Sequence, residues 1–233
     1  MGSVAAGNRA SGVSRIAPGE LVRSRGGRFA GTLGIDLAAA DAGERFKWFL
    51  AALLYGARIS GSLASRTWRE FAARGVLTPE GIVATGWDGL VAILDAGGYA
   101  RYDYKTATKL LDVCAALMRD YGGSLDALHE AATDPRDLEN RLKALGKGIG
   151  DTTVDIFLRE LRGIWAKADP PLSPLAIRAA SELGYLQPNP DPDRALARLR
   201  RLWAADGQPP TAFADFESAL VREGLRMRRQ RAV

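Results

Sequence analysis

The chain has 233 residues, of which 47% are hydrophobic and 25% charged, and carries a net charge of +5 at pH 7. This is ordinary globular usage, with enough length for a sizeable core in one or two domains. The single cysteine, Cys114, excludes an intrachain disulfide and a four-cysteine metal or iron–sulfur centre. The single histidine, His129, argues against a His-based zinc centre. No metal and no cofactor are expected. There is no run of about 18 apolar residues to span a membrane. Residues 1–30 lack the apolar stretch of a secretory signal, so a cytoplasmic protein is expected.

The charge is uneven. Residues 1–30 and 222–233 each carry a net +4, which leaves −3 for residues 31–221. Basic ends can bind nucleic acid through counterion release or serve as solubilising tails. Residues 1–30, rich in Gly, Ser, Ala and Arg, read as a disordered segment.

From Glu44 the pattern is helical, with Phe46, Phe49, Leu50, Leu53 and Leu54 on a shared face. Ser60-Gly61 breaks it. Leu63, Trp68 and Phe71 predict a second helix, ended by Gly75. Thr78-Pro79-Glu80 signals a helix start, and Trp87 to Leu94 predicts a short helix stopped by Gly97-Gly98. Thr106, Leu110, Val113, Leu117 and Met118 predict a long helix ended by Gly122-Gly123. Ser124 caps a short one, and Asp134-Pro135 starts another through Leu138, Leu142 and Leu145. After the turn Gly146-Lys147-Gly148-Ile149-Gly150, residues 152–165 read as helix. Ser173-Pro174 opens a helix through Gly184. Pro188, Pro190 and Pro192 read as a rigid linker before helices over 193–205 and 211–226. No segment alternates like a strand, so the fold class is all-α with short connections.

The stretch from Leu142 to Leu158 carries the most chemistry. Two glycines around an aliphatic residue let the backbone turn sharply, and the following helix start gathers partial positive charge. Together they make a seat for a phosphate. Two helices joined by Gly148-Ile149-Gly150 form a helix-hairpin-helix pattern.

Over about residues 44–183 the chain resembles the endonuclease III-like superfamily of helix-hairpin-helix (HhH-GPD) DNA glycosylases. The resemblance is carried by the apolar helix Arg45 to Leu54, by Gly98-Tyr99 followed by Lys105-Thr106-Ala107, by Tyr121 to Leu125, and by the hairpin. It implies two interleaved helical domains with a DNA-groove cleft between them. Residues 44–165 would form one, ending in the hairpin at 137–165. Residues 31–43 with 166–233 would form the other. The implied partner is double-stranded DNA, damaged or distorted, with a base flipped out. A monomer without membrane contact is expected. The implied DNA contacts are Lys147, Gly148, Ile149, Gly150, Thr152, Thr153 and Arg58.

The catalytic positions depart from the family pattern. Thr152 stands where bifunctional members carry the lysine that forms a Schiff base, so lyase activity is not expected. Ser173 stands where the family has an aspartate; it can cap a helix but supplies no charge. Asp169 and Asp155 are candidate replacement carboxylates. Asp151 reads as a helix cap that sets a negative charge beside the phosphate seat, with Lys147 offsetting it.

Three functions stay open: a DNA-binding protein of glycosylase type without the lyase residues, an active monofunctional N-glycosylase with a relocated carboxylate, and an interaction scaffold that no longer binds DNA. Among other residues, Arg58, Ser60 and Ser62 read as a polar interhelix loop. Tyr99, Tyr102 and Tyr104 read as core, with base stacking as the alternative. All five tryptophans read as packing residues. Cys114 reads as a buried inert thiol and His129 as a helix residue without a catalytic role. Arg194, Arg198, Arg200 and Arg201 read as a basic stripe or a solvated face.

Overall fold

The computed structural model describes residues 16–39, 41–57, 59–99 and 103–231. Among them the chain is helical throughout, with no β-sheet. No helix of the described residues is long and apolar enough to cross a membrane.

The α-helices run in chain order as α1 (Pro18–Arg25), α2 (Phe29–Thr32), α3 (Ala42–Tyr55), α4 (Gly61–Ala73), α5 (Pro79–Ala96) and α6 (Asp103–Tyr121). After them come α7 (Leu125–Ala131), α8 (Pro135–Ala144), α9 (Asp151–Leu161), α10 (Pro174–Glu182), α11 (Pro192–Ala205) and α12 (Phe213–Gln230). Local chemistry sets most starts. Asp41, Ser60, Thr78, Ser124, Asp134, Ser173 and Asp191 each accept a hydrogen bond from a first-turn amide. Such a cap satisfies a backbone donor that the helix itself leaves unpaired. Helix α5 joins the two expected pieces across a kink at Gly86, whose backbone (φ 70, ψ 173) is not helical.

Helix α3 lies at the centre. Its residues Phe46 and Trp48 to Leu54 are all buried, so it is enclosed on every side by α4, α7 and α9. Phe49 and Phe157 meet edge to face, with ring centroids 5.0 Å apart. The Trp48 Nε1–H donates to the Phe157 carbonyl at 3.1 Å. Full burial of side chains this size stabilises by about 1.5–3 kcal/mol each.

Two apolar clusters result. The first runs from Ala30 to Ala168 and surrounds α3. The second gathers α10, α11 and α12 around Phe216, and it includes Leu21 from α1.

This arrangement corrects several expectations. Residues 16–30 are ordered: α1 packs on α12, and Leu21 is buried there. The remainder of the segment expected to be disordered, residues 1–15, lies outside the described residues. Leu33, Ile35 and Leu37 join the first cluster, whereas residues 31–43 were expected with the second domain. Helix α9 ends at Leu161 rather than near Trp165. Arg162 is extended (ψ 124) and Gly163 turns left-handed (φ +83), so the chain swings toward α10.

Several arginines of the basic ends are held in the fold. Arg25 pairs with Glu223 at 2.5 Å, and Arg28 with Asp215 at 3.2 Å. Arg222 lies over the Phe29 ring at 4.0 Å, and Arg226 pairs with Glu223 at 2.6 Å. Two of the four α11 arginines are engaged as well. Arg198 donates to the Tyr185 carbonyl at 2.6 Å, and Arg200 pairs with Asp169 at 2.7 Å.

Where the two clusters meet, the α9 carboxylate Glu160 is fully buried. It accepts the Phe29 N–H at 2.6 Å, the Ala30 N–H at 2.8 Å and the Ser218 hydroxyl at 3.1 Å. Burial pushes its carboxyl up, while Arg159 and these donors pull it back down.

Candidate nucleic-acid interface

The hairpin forms between α8 and α9. Ile149 is buried and anchors the turn in the first cluster, so only its backbone faces outward. Gly148 sits at φ +90, a left-handed conformation that glycine adopts without steric cost. Gly150 is the N-cap residue of α9 and has no side chain, so α9 starts without a side-chain cap. Gly148, Gly150 and Lys147 are all exposed.

A cavity of about 850 Å³ opens beside this turn. Lys147 and Gly148 line it from the hairpin, Gly56 and Ala57 from the end of α3, and Lys105 and Lys109 from α6. Lys109 is half-buried, and burial pulls its ammonium below the usual lysine range. Its Nζ reaches only the Leu53 carbonyl, at 3.4 Å. Among the described residues, none of these three lysines lies within ion-pair distance of a carboxylate. Asp112 is the one acid on the cavity wall, so the lining is net positive. Lys105 and Lys109 are the functional candidates missed in the sequence. Their signal was present, two lysines four apart on the helix after Gly98-Tyr99, but nothing local showed that this face meets the hairpin.

Other candidates fall elsewhere. Thr152 is exposed on the first turn of α9. Thr153 is buried and cannot touch a ligand: it packs so closely on Gly56 that any side chain there would overlap it. Arg58 and Tyr102 lie outside the described residues. Tyr99 is core, at 1% exposure.

Ser173 caps α10, with its Oγ accepting the Ala176 N–H at 3.2 Å. Asp169 is held between Arg162 and Arg200 and lines a different cavity, of about 430 Å³. Neither of these two cavities is lined by Thr152 or Ser173. The cavity beside the hairpin lies on the side of the first cluster.

Asp151 does not cap its helix. Its carboxylate is exposed and pairs with Lys143 of α8 at 2.5 Å. The charge feared beside the phosphate seat is thus offset by Lys143 rather than Lys147.

Asp155, one turn on, is half-buried near Glu139 and Asp151. Desolvation and these like charges push its carboxyl up to about 6. The folded protein therefore holds this proton at pH values where the unfolded chain has released it. Stability contributed by the protonated form is complete below the unfolded value near 3.8 and is lost as pH rises through about 6. Asp155→Asn is expected to raise the unfolding free energy at pH 7.5 by about 1–2 kcal/mol, after allowance for solvent screening, and to change nothing at pH 3.5. Urea denaturation at the two pH values checks this; equal effects at both would contradict it.

His129 stacks on Trp165, with centroids 4.7 Å apart and planes at 10°. Burial and Lys167 lower its pKa. Cys114 is buried, and its thiol is pushed up to about 12, which leaves it unreactive. Four tryptophans pack as expected, but Trp87 is 40% exposed. Comparison with protein-family models finds no match for the chain, and comparison with curated proteins finds no similar sequence.

Proposed function

We propose that this protein binds duplex DNA through its glycine hairpin, in the manner of helix-hairpin-helix DNA glycosylases, and that it recognises damaged or distorted duplex without strand-cleaving activity at Thr152. The observation that carries the reading is the cavity where Lys105, Lys109 and Lys147 converge on Gly148 without carboxylate partners. Three ammonium groups against one acid, around an exposed left-handed glycine and a helix start without a side-chain cap, suit a phosphodiester. Each phosphate contact releases condensed counterions, which supplies affinity without reading sequence.

Thr152 has no amine, so the covalent lyase route is closed at that position. Hydrolysis of a glycosidic bond would need an oriented carboxyl group. Asp169 is neutralised by Arg162 and Arg200. Asp155, with its carboxyl pushed up to about 6, is the better candidate for a monofunctional glycosylase, the second reading.

The test is fluorescence anisotropy on a labelled duplex, intact or carrying an abasic-site analogue, across a salt series. Binding with a log–log salt slope of about −2 to −3 is expected for two or three phosphate contacts. Absence of binding at low salt would overturn the reading and favour the interaction scaffold.

A further inference from the structure

The large exposed hydrophobic side chains among the described residues are Val83, Trp87 and Tyr104, and all three lie on α5 and α6. Trp87 and Tyr104 form a pair, with ring centroids 5.1 Å apart and planes at 31°. They are fixed in place. The Trp87 Nε1–H donates to the Thr108 Oγ1 at 3.1 Å, and that hydroxyl donates to the Tyr104 carbonyl at 3.0 Å. Even so, Tyr104 is 60% exposed. Scattered exposed apolar residues are unremarkable on a protein surface, but a contiguous aromatic pair of which one ring, Tyr104, lines a charged cavity is a binding feature.

The neighbourhood identifies the occupant. Tyr104 and Thr108 line the same cavity as Lys105, Lys109 and Lys147. Helix α6 thus presents an aromatic residue and two lysines along one wall. Aromatic faces beside a positive groove are the combination that holds a nucleic-acid strand whose bases are unpaired: the lysines follow the phosphates and the rings stack the bases. A continuous duplex could use the lysines but not the rings, because its bases are already stacked on one another.

We propose that Trp87 and Tyr104 are a stacking platform for an unpaired nucleobase, so that this site prefers nucleic acid with bases out of the helix over intact duplex. The proposal rests on the DNA-binding reading above and names the feature of the substrate that is read. Stacking on an aromatic side chain changes affinity by about tenfold per base.

The experiment compares two labelled duplexes of one sequence, intact and with a central bulge of unpaired nucleotides, for the wild type, Trp87→Ala and Tyr104→Ala. Circular dichroism and thermal melting first establish that each variant is folded. The wild type is expected to bind the bulged duplex about tenfold more tightly than the intact one. Each variant is expected to lose that preference while its affinity for intact duplex stays within about twofold, since the phosphate contacts are untouched. A preference that survives in both variants, or no preference in a wild type that binds intact duplex, overturns the stacking platform and leaves the DNA-binding reading standing. No salt-dependent binding of either duplex by the wild type overturns both. Tryptophan fluorescence gives a second readout: quenching on adding the bulged duplex is expected in the wild type and is lost in Trp87→Ala.

Discussion

Replacing Glu160 with alanine is expected to lower the unfolding free energy by about 3–5 kcal/mol. The reason is what the change strands. The carboxylate accepts the backbone N–H groups of both Phe29 and Ala30, one on each oxygen, and also the Ser218 hydroxyl. These donors lie at the junction of the two apolar clusters. A buried N–H left without an acceptor costs about 1–3 kcal/mol, and here two are orphaned together. The Arg159 guanidinium, which is buried and pulls the Glu160 carboxyl down, also loses its neighbouring countercharge. Glu160→Gln should cost less, since its carbonyl still accepts one of the two amides. Ser218→Ala should cost only about 1 kcal/mol, because it removes one donor and leaves both amides satisfied. Urea unfolding of the three variants checks the order. A Glu160→Ala loss below that of Ser218→Ala would mean that the carboxylate does not hold the residue 29–30 segment.

The largest expected effect on binding comes from reversing two charges at the cavity. Lys105→Glu with Lys147→Glu is expected to weaken binding to intact duplex by about 50-fold at roughly 0.1 M salt. Each phosphate contact contributes about 0.9 to the log–log salt slope, so losing two removes about eightfold apiece at that salt. The slope itself should become shallower by about 1.8. Both side chains are exposed, so the fold should not change by more than about 0.5 kcal/mol. Anisotropy titrations over a salt series measure affinity and slope together. A fall in affinity with an unchanged slope would point to a distorted hairpin instead of lost phosphate contacts. Lys143→Glu serves as a contrast. It neutralises Asp151 beside the hairpin without lining the cavity, so its change should weaken binding less than the double reversal does.

Local signals made the helices legible in the sequence. Ser124, Asp134 and Ser173 were read as helix starts from their residue type, and each caps its helix in the structure. The hairpin's position was equally plain, because Gly148 and Gly150 supply the backbone freedom that a sharp turn between two apolar-patterned segments needs. What stayed hidden was non-local. Nothing around Leu21 shows that it docks on α12, at the far end of the chain, so composition alone gave the wrong answer for residues 16–30. The basic ends misled for a related reason. Arg25 and Arg28 find Glu223 and Asp215, pairings that no count of charges can foresee. At the candidate site, Lys147, Gly148 and Gly150 were legible from the turn. Thr153 was misassigned because its burial depends on the close approach of Gly56, and Lys105 and Lys109 needed the packing of α6 against the hairpin. Trp87 escaped because the kink at Gly86 changes the rotational phase of α5, so a residue amid apolar neighbours turns outward.

The docking of α1 against α12 has a consequence for synthesis. A ribosome makes Leu21 long before Phe216 and Leu220, the residues that share its cluster. At about 5–20 residues per second the interval is roughly 10–40 s. During it the first cluster, which closes by Ala168, can assemble on the nascent chain. The Phe29–Ala30 amides can already find Glu160 at that stage, but Leu21 stays uncovered until α12 has left the exit tunnel. The second cluster is therefore completed last, and the apolar face of α1 is the surface that needs shielding until α12 emerges.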